Sequence, residues 1–365
     1  MRRGTIVVII FVILVAGVVG VSQFLQRQPP LEFTVAVNPL AEDWLREAVT
    51  AFNNTQPVVN ATQRIQFNVV VIDDLSIWQG SQELAPDDHP AVWIPTASTS
   101  VDYSDRYAIL TPSLAQSPLV WGGYSSRVNI ATQEGATAFD WEAVQRVAEA
   151  QAWEVVGGPR NWQFLKLAFM KADMTMSGLG TLFSAAASYS ETPDISGSAT
   201  RNSGFRSWLE PMIEAVPNFQ TLGTDPAATM ARGPSTAEIA LLPEVLWLRN
   251  LNSLTDDANE PFMFSYPAYQ FMLDFPLAAW ADRNQITDIE TLSAQALSDW
   301  LLSDAQQANA MRHGLRPADG VGNETVTLFT TAEPFGIALS ADTGIPVQPP
   351  SRSEASGLVQ WFAQR

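Results

Sequence analysis

The sequence contains no cysteine and only two histidines, His89 and His313, among its 365 residues. The absence of cysteine excludes disulfide bonds, thiol nucleophiles, thiolate metal sites and lipids attached through cysteine. With so few histidines, a histidine-based metal centre or a Ser-His-Asp triad is a poor expectation. We therefore expect neither a metal nor a cofactor. The residues that the common hydrolytic mechanisms use are also scarce.

Basic residues are also scarce, since 20 Lys and Arg stand against 38 Asp and Glu, for a formal charge of −18. A chain this acidic repels phosphate backbones, so we expect no nucleic-acid partner. Hydrophobic residues, by contrast, make up 46% of the chain and charged residues 16%. This balance allows a large core and excludes wholesale disorder. The length suits one elaborate domain or two lobes, at about 100–200 residues per domain.

The first segment is predicted to direct the chain out of the cytoplasm. Arg2 and Arg3 precede an uncharged apolar run at 5–21. A basic start before such a run is typical of a secretory signal or signal-anchor, and it places the rest of the chain outside. The run approaches the roughly 20 residues that span a bilayer. We expect residues 1–30 to be a signal-anchor and linker, giving a single-pass protein of the cell membrane with an exported body, or a secreted protein if cleavage follows Gly20.

Apolar, β-branched segments alternate with helix-like segments in the rest of the chain. Residues 31–37, 65–72 and 91–95 have the composition of buried strands, whereas 41–53 has helical spacing of its apolar residues. Strands that alternate with helices predict an α/β sheet with right-handed crossovers.

Several predicted strands end in small or hydroxyl residues just before a helix begins. This happens at 38–41, at 97–99, at 175–180 and more weakly at 243–245. Ligands of open α/β sheets bind outside the carboxyl ends of the strands, where helix N-termini offer free N–H groups. Each turn alone also fits an ordinary helix cap. Only the set of turns predicts a binding cleft.

The acidic pair Asp73 and Asp74 lacks the alternating Asp-x-Asp-x-Asp-Gly pattern of a calcium loop. We therefore interpret it as a solvated turn.

Five segments follow one another in a characteristic order: HPAVWIPTAST (89–99), LAQSPLV (114–120), LKLA (165–168) with SGLG (177–180), FPLA (275–278), and an amphipathic helix at 297–310 that leads to GLRP (314–317). This ordered set resembles bacterial extracellular solute-binding proteins of the two-lobed periplasmic-binding class, near the molybdate/sulfate-type group. The segments span roughly residues 31 to 317, and it is their order rather than any single one that carries the resemblance.

The resemblance implies an α/β, two-lobed, periplasmic-binding-protein-like fold of type II with a hinge. The implied division is lobe 1 at 31–121 and 273–317, lobe 2 at 122–272, and a C-terminal extension at 318–365 that packs on the body. Crossing strands near 119–123 and 271–278 would form the hinge, with Gly122 and Gly123 absorbing the motion. In the extension we predict a strand at 325–330 and a helix at 353–362.

The resemblance also implies which residues contact the solute: Asn38, Leu40, Ser98 and Thr99 from lobe 1, and Thr175, Ser177 and Glu244 from lobe 2. The family usually has a serine where this chain has Asn38, and a carboxylate at Glu244 disfavours an anion. The sequence therefore leaves two classes of solute, an oxyanion or another polar molecule such as a cation, an amine or a sugar. Arg316 is expected to form a structural ion pair rather than to clamp a ligand.

The function implied by the resemblance is the capture of a small polar solute between two lobes, without catalysis. The partners would be that solute, the membrane through the N-terminal helix, and an ABC transporter permease or a sensing system. A membrane-anchored interaction or sensory domain that has lost solute binding is the main alternative. An exported hydrolase with a carboxylate pair is a further one, although no spacing in the sequence nominates such a pair.

Overall fold

The computed structural model describes residues 29–80, 89–197, 199–256, 260–281, 287–321, 327–340 and 343–365. The predicted membrane segment lies outside these residues. Within the part of the chain that is described, no helix combines the length and the apolar character that crossing a membrane requires.

The strands of the described residues are, in chain order, β1 (Leu31–Val37), β2 (Val58–Val59), β3 (Gln63–Val71), β4 (Val92–Ile94), β5 (Tyr107–Thr111), β6 (Ala115–Tyr124), β7 (Leu167–Phe169), β8 (Ile239–Pro243), β9 (Phe262–Ser265), β10 (Tyr269–Gln270), β11 (Met272–Leu273), β12 (Leu277–Trp280), β13 (Arg316–Pro317) and β14 (Ile345–Pro346).

The helices are α1 (Glu42–Asn54), α2 (Asp74–Trp78), α3 (Ser98–Asp102), α4 (Ser125–Ala131), α5 (Trp141–Glu149), α6 (Met176–Ser190), α7 (Ser203–Glu214), α8 (Phe219–Leu222), α9 (Pro226–Met230), α10 (Glu244–Arg249), α11 (Leu251–Leu254), α12 (Asp288–Leu301), α13 (Asp304–Arg312), α14 (Thr327–Ala332) and α15 (Arg352–Phe362).

Lobe 1 is built on a sheet with the strand order β2-β3-β1-β4-β12-β5. Strand β1 runs parallel to β3 and β4, and β12 runs antiparallel to β4 and β5. Because β1, β3 and β4 are parallel, their carboxyl ends meet at one edge, where the turns that precede α2 and α3 also lie. Helix α1 covers this sheet with the apolar face that its spacing predicts, and Trp44, Leu45 and Phe52 are buried there.

Lobe 2 is built on a second sheet with the order β11-β6-β8-β7, to which β9 and β13 also pair through β6. Strands β7 and β8 are parallel, whereas β6 runs antiparallel to β8. The carboxyl end of β7 leads into helix α6, so lobe 2 also presents a strand-to-helix turn at one edge of its sheet.

Strand β6 joins the two lobes. Its first residues pair with β11 and β13, and its later residues pair with β8 and β9 inside lobe 2. A Cβ atom on Gly122 would lie 2.7 Å from the ring of Trp247, so the lack of a side chain permits close packing there. The prediction that Gly122 and Gly123 form a flexible hinge is therefore wrong, because both are paired within the lobe-2 sheet. The crossing is made by β6, β11 and β13 together.

Two predictions in the C-terminal extension have different outcomes. The predicted helix at 353–362 is confirmed as α15, which begins with a capping box between Ser351 and Glu354. Of the strand predicted at 325–330, residues 325–326 lie outside the described residues, and the prediction is wrong for 327–330, which belong to helix α14. The threonines and valine of 325–330 favour a strand locally, but local β propensity is weaker than tertiary context.

Candidate functional site

Asp74 ties together the turns at the carboxyl edge of the lobe-1 sheet. Its carboxylate accepts hydrogen bonds from Asn38 Nδ2 at 2.7 Å, from Thr96 N at 2.8 Å and Oγ1 at 2.5 Å, and from Ser100 Oγ at 2.8 Å. All of these partners are neutral, and complete burial raises the pKa of Asp74 above its ordinary value although each of the hydrogen bonds lowers it. The network fixes the turns that carry Asn38, Asp74 and Thr96 relative to one another.

Asp73 is also affected by this burial. Its pKa is raised to about 8, chiefly by burial and further by the neighbouring charge of Asp74. The interpretation of this acidic pair as a solvated turn is therefore wrong for Asp74, which is fully buried. The sequence did offer one signal for the burial of Asp74, namely its position directly after an apolar strand segment and at the start of a helix.

Asn38 and Leu40 form the first-strand turn of the predicted site, and both are buried. The Asn38 side chain donates to Asp74 and accepts from the backbone N–H of Leu40 at 2.9 Å. Its amide is thus used within lobe 1, and solute contact by Asn38 and Leu40 stays a prediction.

Ser98 opens helix α3 and is held by a carboxylate from the crossing segment. Its backbone N–H donates to Asp274 Oδ1 at 2.7 Å and its Oγ donates to Asp274 Oδ2 at 2.6 Å. Asp274 lies between β11 and β12, where the chain returns from lobe 2 to lobe 1. Burial raises the pKa of Asp274 to about 6, against the opposing effect of the Ser98 hydrogen bonds. This carboxylate therefore sits where a helix N-terminus would otherwise attract an anion.

Asp274 is a site residue that the sequence analysis missed. A lone carboxylate within the apolar segment at 271–280 was the available signal, because an isolated charge in such a run needs partners when it is buried.

Thr175 and Ser177 form the corresponding turn of lobe 2. The Thr175 hydroxyl accepts from Gly178 N at 3.1 Å and donates to the Lys171 carbonyl at 3.2 Å. The Ser177 hydroxyl lies 3.4 Å from Thr175 Oγ1. A Cβ atom on Gly178 would come within 2.3 Å of the Met170 carbonyl, so glycine allows helix α6 to start directly against the end of β7.

The two turns lie beside the same crossing segment. Helix α6 packs on Phe271, since a Cβ atom on Gly180 would touch that ring at 2.2 Å. Asp274, three residues further along, holds Ser98. At roughly 3.3 Å per extended residue, about 10 Å of chain separates these contacts. The crossing segment thus contacts the Ser98 turn of lobe 1 through Asp274 and helix α6 of lobe 2 through Phe271.

Thr99 and Thr175 each line a cavity that also includes C-terminal residues. The Thr99 cavity has a volume of about 360 Å³ and includes Asp102, Tyr103 and residues 349–352. The Thr175 cavity, of about 1070 Å³, is larger. The side chains around it include Lys171, Glu210, Phe219 and Arg365. The larger cavity combines an aromatic ring with polar groups and is of the size that small ligands occupy, several hundred to about 1,000 Å³.

Glu244 has a structural partner. Its carboxylate accepts from Arg316 Nε at 2.6 Å and Nη2 at 2.7 Å, and from Tyr266 Oη at 2.5 Å. Both charged side chains are completely buried, which confirms the structural ion pair predicted for Arg316. Burial and the adjacent Glu244 raise the pKa of Tyr266. The solute contact predicted for Glu244 would require this ion pair to open.

Among the described residues, no cluster of histidine, aspartate and glutamate side chains could hold a metal ion.

No protein-family model matches the chain, and no curated protein matches it in sequence. Solved structures, however, match its fold over nearly its whole length. Iron-bound HitA from Pseudomonas aeruginosa is 13% identical with a TM-score of 0.57, and the match covers 91% of this chain and 99% of that one. A ribitol complex of an ABC transporter solute-binding protein from Agrobacterium radiobacter is 11% identical with a TM-score of 0.57, covering 92% and 95%. The cyclic α-maltosyl-1,6-maltose binding protein from Arthrobacter globiformis is 11% identical with a TM-score of 0.53, covering 92% and 94%.

The described residues therefore have the two-lobed α/β fold of periplasmic-binding proteins. The predicted fold class is confirmed for this part of the chain. The proteins named above are similar in fold, and at these identities the likeness extends to the fold alone.

Proposed function

We propose that the chain is an extracellular solute-binding protein that captures a small polar solute between its lobes. The observation that supports the proposal is that helices of both lobes contact the crossing segment, α3 through Ser98 and Asp274 and α6 through Gly180 and Phe271. Closure of two lobes around such a segment encloses a solute while both edges contact it.

The charges at lobe 1 support a neutral solute rich in hydroxyl groups over an oxyanion. In an oxyanion site, the first N–H groups and the hydroxyl of α3 would donate to the ligand. Here the N–H and the hydroxyl of Ser98 both donate to Asp274. An anionic solute would have to displace this carboxylate or lie beside it, at an electrostatic cost. We therefore favour a sugar or polyol over the molybdate/sulfate type, and a cationic amine is compatible with the same carboxylate.

Lobe 2 supplies groups that suit such a solute. Thr175 contributes a hydroxyl and Phe219 an aromatic ring to the larger cavity, together with charged side chains that can accept or donate hydrogen bonds. Aromatic faces and hydroxyl partners are the common means of holding a sugar ring. Of the proteins of similar fold named above, two bind ribitol and a cyclic maltosyl sugar, and the third binds iron.

The predicted signal-anchor completes the proposal. Residues 1–30 would hold the body at the outer face of the cell membrane, or release it after cleavage. From there the body would deliver its solute to the permease of an ABC transporter or signal its presence.

A thermal-shift panel tests this proposal. Protein purified without refolding is melted with neutral sugars and polyols, amines, and the oxyanions sulfate and molybdate. Binding to the native state alone stabilises it by RT ln(1 + [L]/Kd), about 2.7 kcal/mol at one hundred times Kd. We expect a rise in Tm with a sugar or polyol and none with an oxyanion. A shift with sulfate or molybdate alone would contradict the proposed solute class, and turnover of a panel member would indicate an enzyme.

One observation favours a second candidate, an interaction or sensory domain that no longer binds solute. C-terminal residues line both the Thr99 cavity and the Thr175 cavity, so the chain itself covers surface that a solute would use. This candidate predicts that no panel member raises Tm and that native mass spectrometry finds no small molecule bound after purification.

A further inference from the structure

The C-terminal residues 343–365 cross from lobe 2 to lobe 1. They begin on lobe 2, where β14 pairs in parallel with β10 and Gln348 N donates to the Pro193 carbonyl at 2.8 Å. They then reach lobe 1, where Tyr103 Oη donates to the Pro350 carbonyl at 2.6 Å. The segment is thus bound to both lobes within a few residues.

Arg352 strengthens the contact with lobe 1. Its guanidinium donates to the Trp78 carbonyl at 2.5 Å and lies 3.5 Å from the Asp105 carboxylate. Tyr103 and Trp78, which receive the segment, also contact each other with ring centroids 5.1 Å apart. Arg352 therefore binds the backbone of Trp78, and the Pro350 carbonyl binds the hydroxyl of Tyr103, so both contacts fall on one pair of neighbouring residues in lobe 1.

Helix α15 then returns to lobe 2. Glu354 lies 3.6 Å from Arg201, and the Phe362 ring lies 5.6 Å from Phe219 and 6.3 Å from Phe169 between centroids. Leu358 and Phe362 are almost fully buried. The contact with lobe 2 is therefore mainly apolar, whereas the contact with lobe 1 is polar.

Helix α15 extends between the two cavities described above. Its first turn borders the Thr99 cavity, and the residues after its last turn border the Thr175 cavity. A helix rises about 1.5 Å per residue, so α15 spans roughly 16 Å between the two cavities. Phe169, which it covers, is the last residue of β7, at the edge that carries Thr175.

We propose that residues 343–365 form an interlobe strap that holds the lobes together at rest, and that release of its lobe-1 end is the opening step. At the lobe-1 end only the Tyr103–Pro350 hydrogen bond is buried, and the ion pair of Arg352 with Asp105 is 44% and 90% exposed, whereas the other end buries the apolar side chains of Leu358 and Phe362. The lobe-1 end therefore buries less apolar surface and is the one that releases. The strap contacts are seen in the chain itself, but their role in admitting solute rests on the proposed function.

The distance between the lobes tests the strap without any solute. Because the chain has no cysteine, spin labels can be placed by Thr50→Cys on α1 and Glu142→Cys on α5, both exposed positions. Pulsed electron resonance then measures the distance distribution for wild type, for Arg352→Ala combined with Tyr103→Phe, and for Arg201→Ala. The last variant is the matched control, because it removes an arginine ion pair of α15 on the lobe-2 side.

We expect the Arg352→Ala/Tyr103→Phe protein to show a longer and broader distance than wild type, and the Arg201→Ala protein to match wild type. Arg352→Ala alone should give a smaller change in the same direction, and circular dichroism melting shows that each variant is folded. Unchanged distances in the folded double variant would overturn the strap, as would an equal change in the control.

The thermal-shift panel, repeated on these variants, separates the two proposals. Longer distances with a rise in Tm on addition of the sugar or polyol support both. Longer distances with no bound solute in any variant retain the strap and contradict solute capture. Solute binding with unchanged distances retains solute capture and contradicts the strap.

Discussion

The strand-to-helix edges of the two lobes are built in different ways. At the lobe-1 edge, two carboxylates, Asp74 and Asp274, accept the hydrogen bonds of the turn residues, including both donors of Ser98. At the lobe-2 edge, the hydroxyl of Thr175 caps its own helix and lies next to that of Ser177, beside a cavity of about 1070 Å³. The lobe-1 turns are thus held by buried carboxylates, whereas at the lobe-2 turn the Thr175 hydroxyl borders a cavity that is also lined by charged side chains.

This difference concerns the charge found at the start of a helix. The N-terminus of a helix after a strand attracts negative charge wherever it occurs. In this chain a carboxylate from the crossing segment satisfies that attraction at α3. The start of α3 is thus occupied by a negatively charged group of the chain itself.

The largest effect should come from removing the carboxylate at the centre of the lobe-1 edge. In Asp74→Ala, the donors of Asn38, Thr96 and Ser100 lose their acceptor inside a buried site. We expect the free energy of unfolding in urea to fall by about 2–4 kcal/mol, since each unsatisfied buried group costs about 1–3 kcal/mol and relaxation recovers part of it.

Asp173→Ala is the matched control in lobe 2, where the carboxylate pairs with a partly exposed Lys171. Its cost should stay below about 1 kcal/mol. Equal losses in the two variants would show that the edges do not differ as described.

The next largest effect should be a dependence of stability on pH, caused by Asp274 of the crossing segment. The pKa of Asp274 is about 6 in the folded protein and 3.8 ordinarily. The folded state therefore keeps a proton that the unfolded state gives up, and the free energy of unfolding falls as the pH rises through about 4 to 6. At 1.36 kcal/mol per pKa unit, the loss is of the order of 2–3 kcal/mol.

Urea unfolding of wild type and Asp274→Asn at several pH values measures this contribution. Asp73 and Asp74 also have raised pKa values and remain in both proteins, so the difference between the two curves isolates Asp274. A difference that does not change between pH 4 and 6 would contradict the burial of an ionisable Asp274.

The smallest effect on stability should come from the lobe-2 edge. Thr175→Ala removes the cap of α6, and loss of such a cap costs about 1 kcal/mol. Thr175→Ser keeps the hydroxyl and serves as the control. Calorimetric titration with the sugar or polyol found by thermal shift should show weaker binding for Thr175→Ala than for Thr175→Ser, whereas equal affinities would remove Thr175 from the site.

Local patterns were enough to predict much of this architecture. The ends of strands β1, β4 and β7 before helical segments follow the sequence pattern, because buried strands and cap residues leave clear signals. Helices α3 and α6 nevertheless begin at Ser98 and Met176, inside the segments 97–99 and 175–180 that were predicted to precede a helix. Helix α15 was also predictable, since a capping residue precedes an amphipathic segment.

Long-range partners were not predictable in the same way. Ser98 and Asp274 are 176 positions apart, and Arg316 meets Glu244 across 72 positions. Nothing in the local pattern shows that these polar groups satisfy each other, so hydroxyls and a carboxylate that looked available for a solute have internal partners. The close approach of Trp247 to Gly122 is likewise a tertiary contact. From the sequence alone, a glycine that is needed for close packing cannot be told from a glycine that is needed for flexibility.

The most direct test of the account is the interlobe distance of the labelled Thr50→Cys/Glu142→Cys protein, measured with and without saturating amounts of the sugar or polyol that raises its Tm. Capture between the lobes predicts a single, narrower and shorter distance with the solute, and no change with sulfate. Saturable solute binding that leaves the distance distribution unchanged would contradict capture between the lobes.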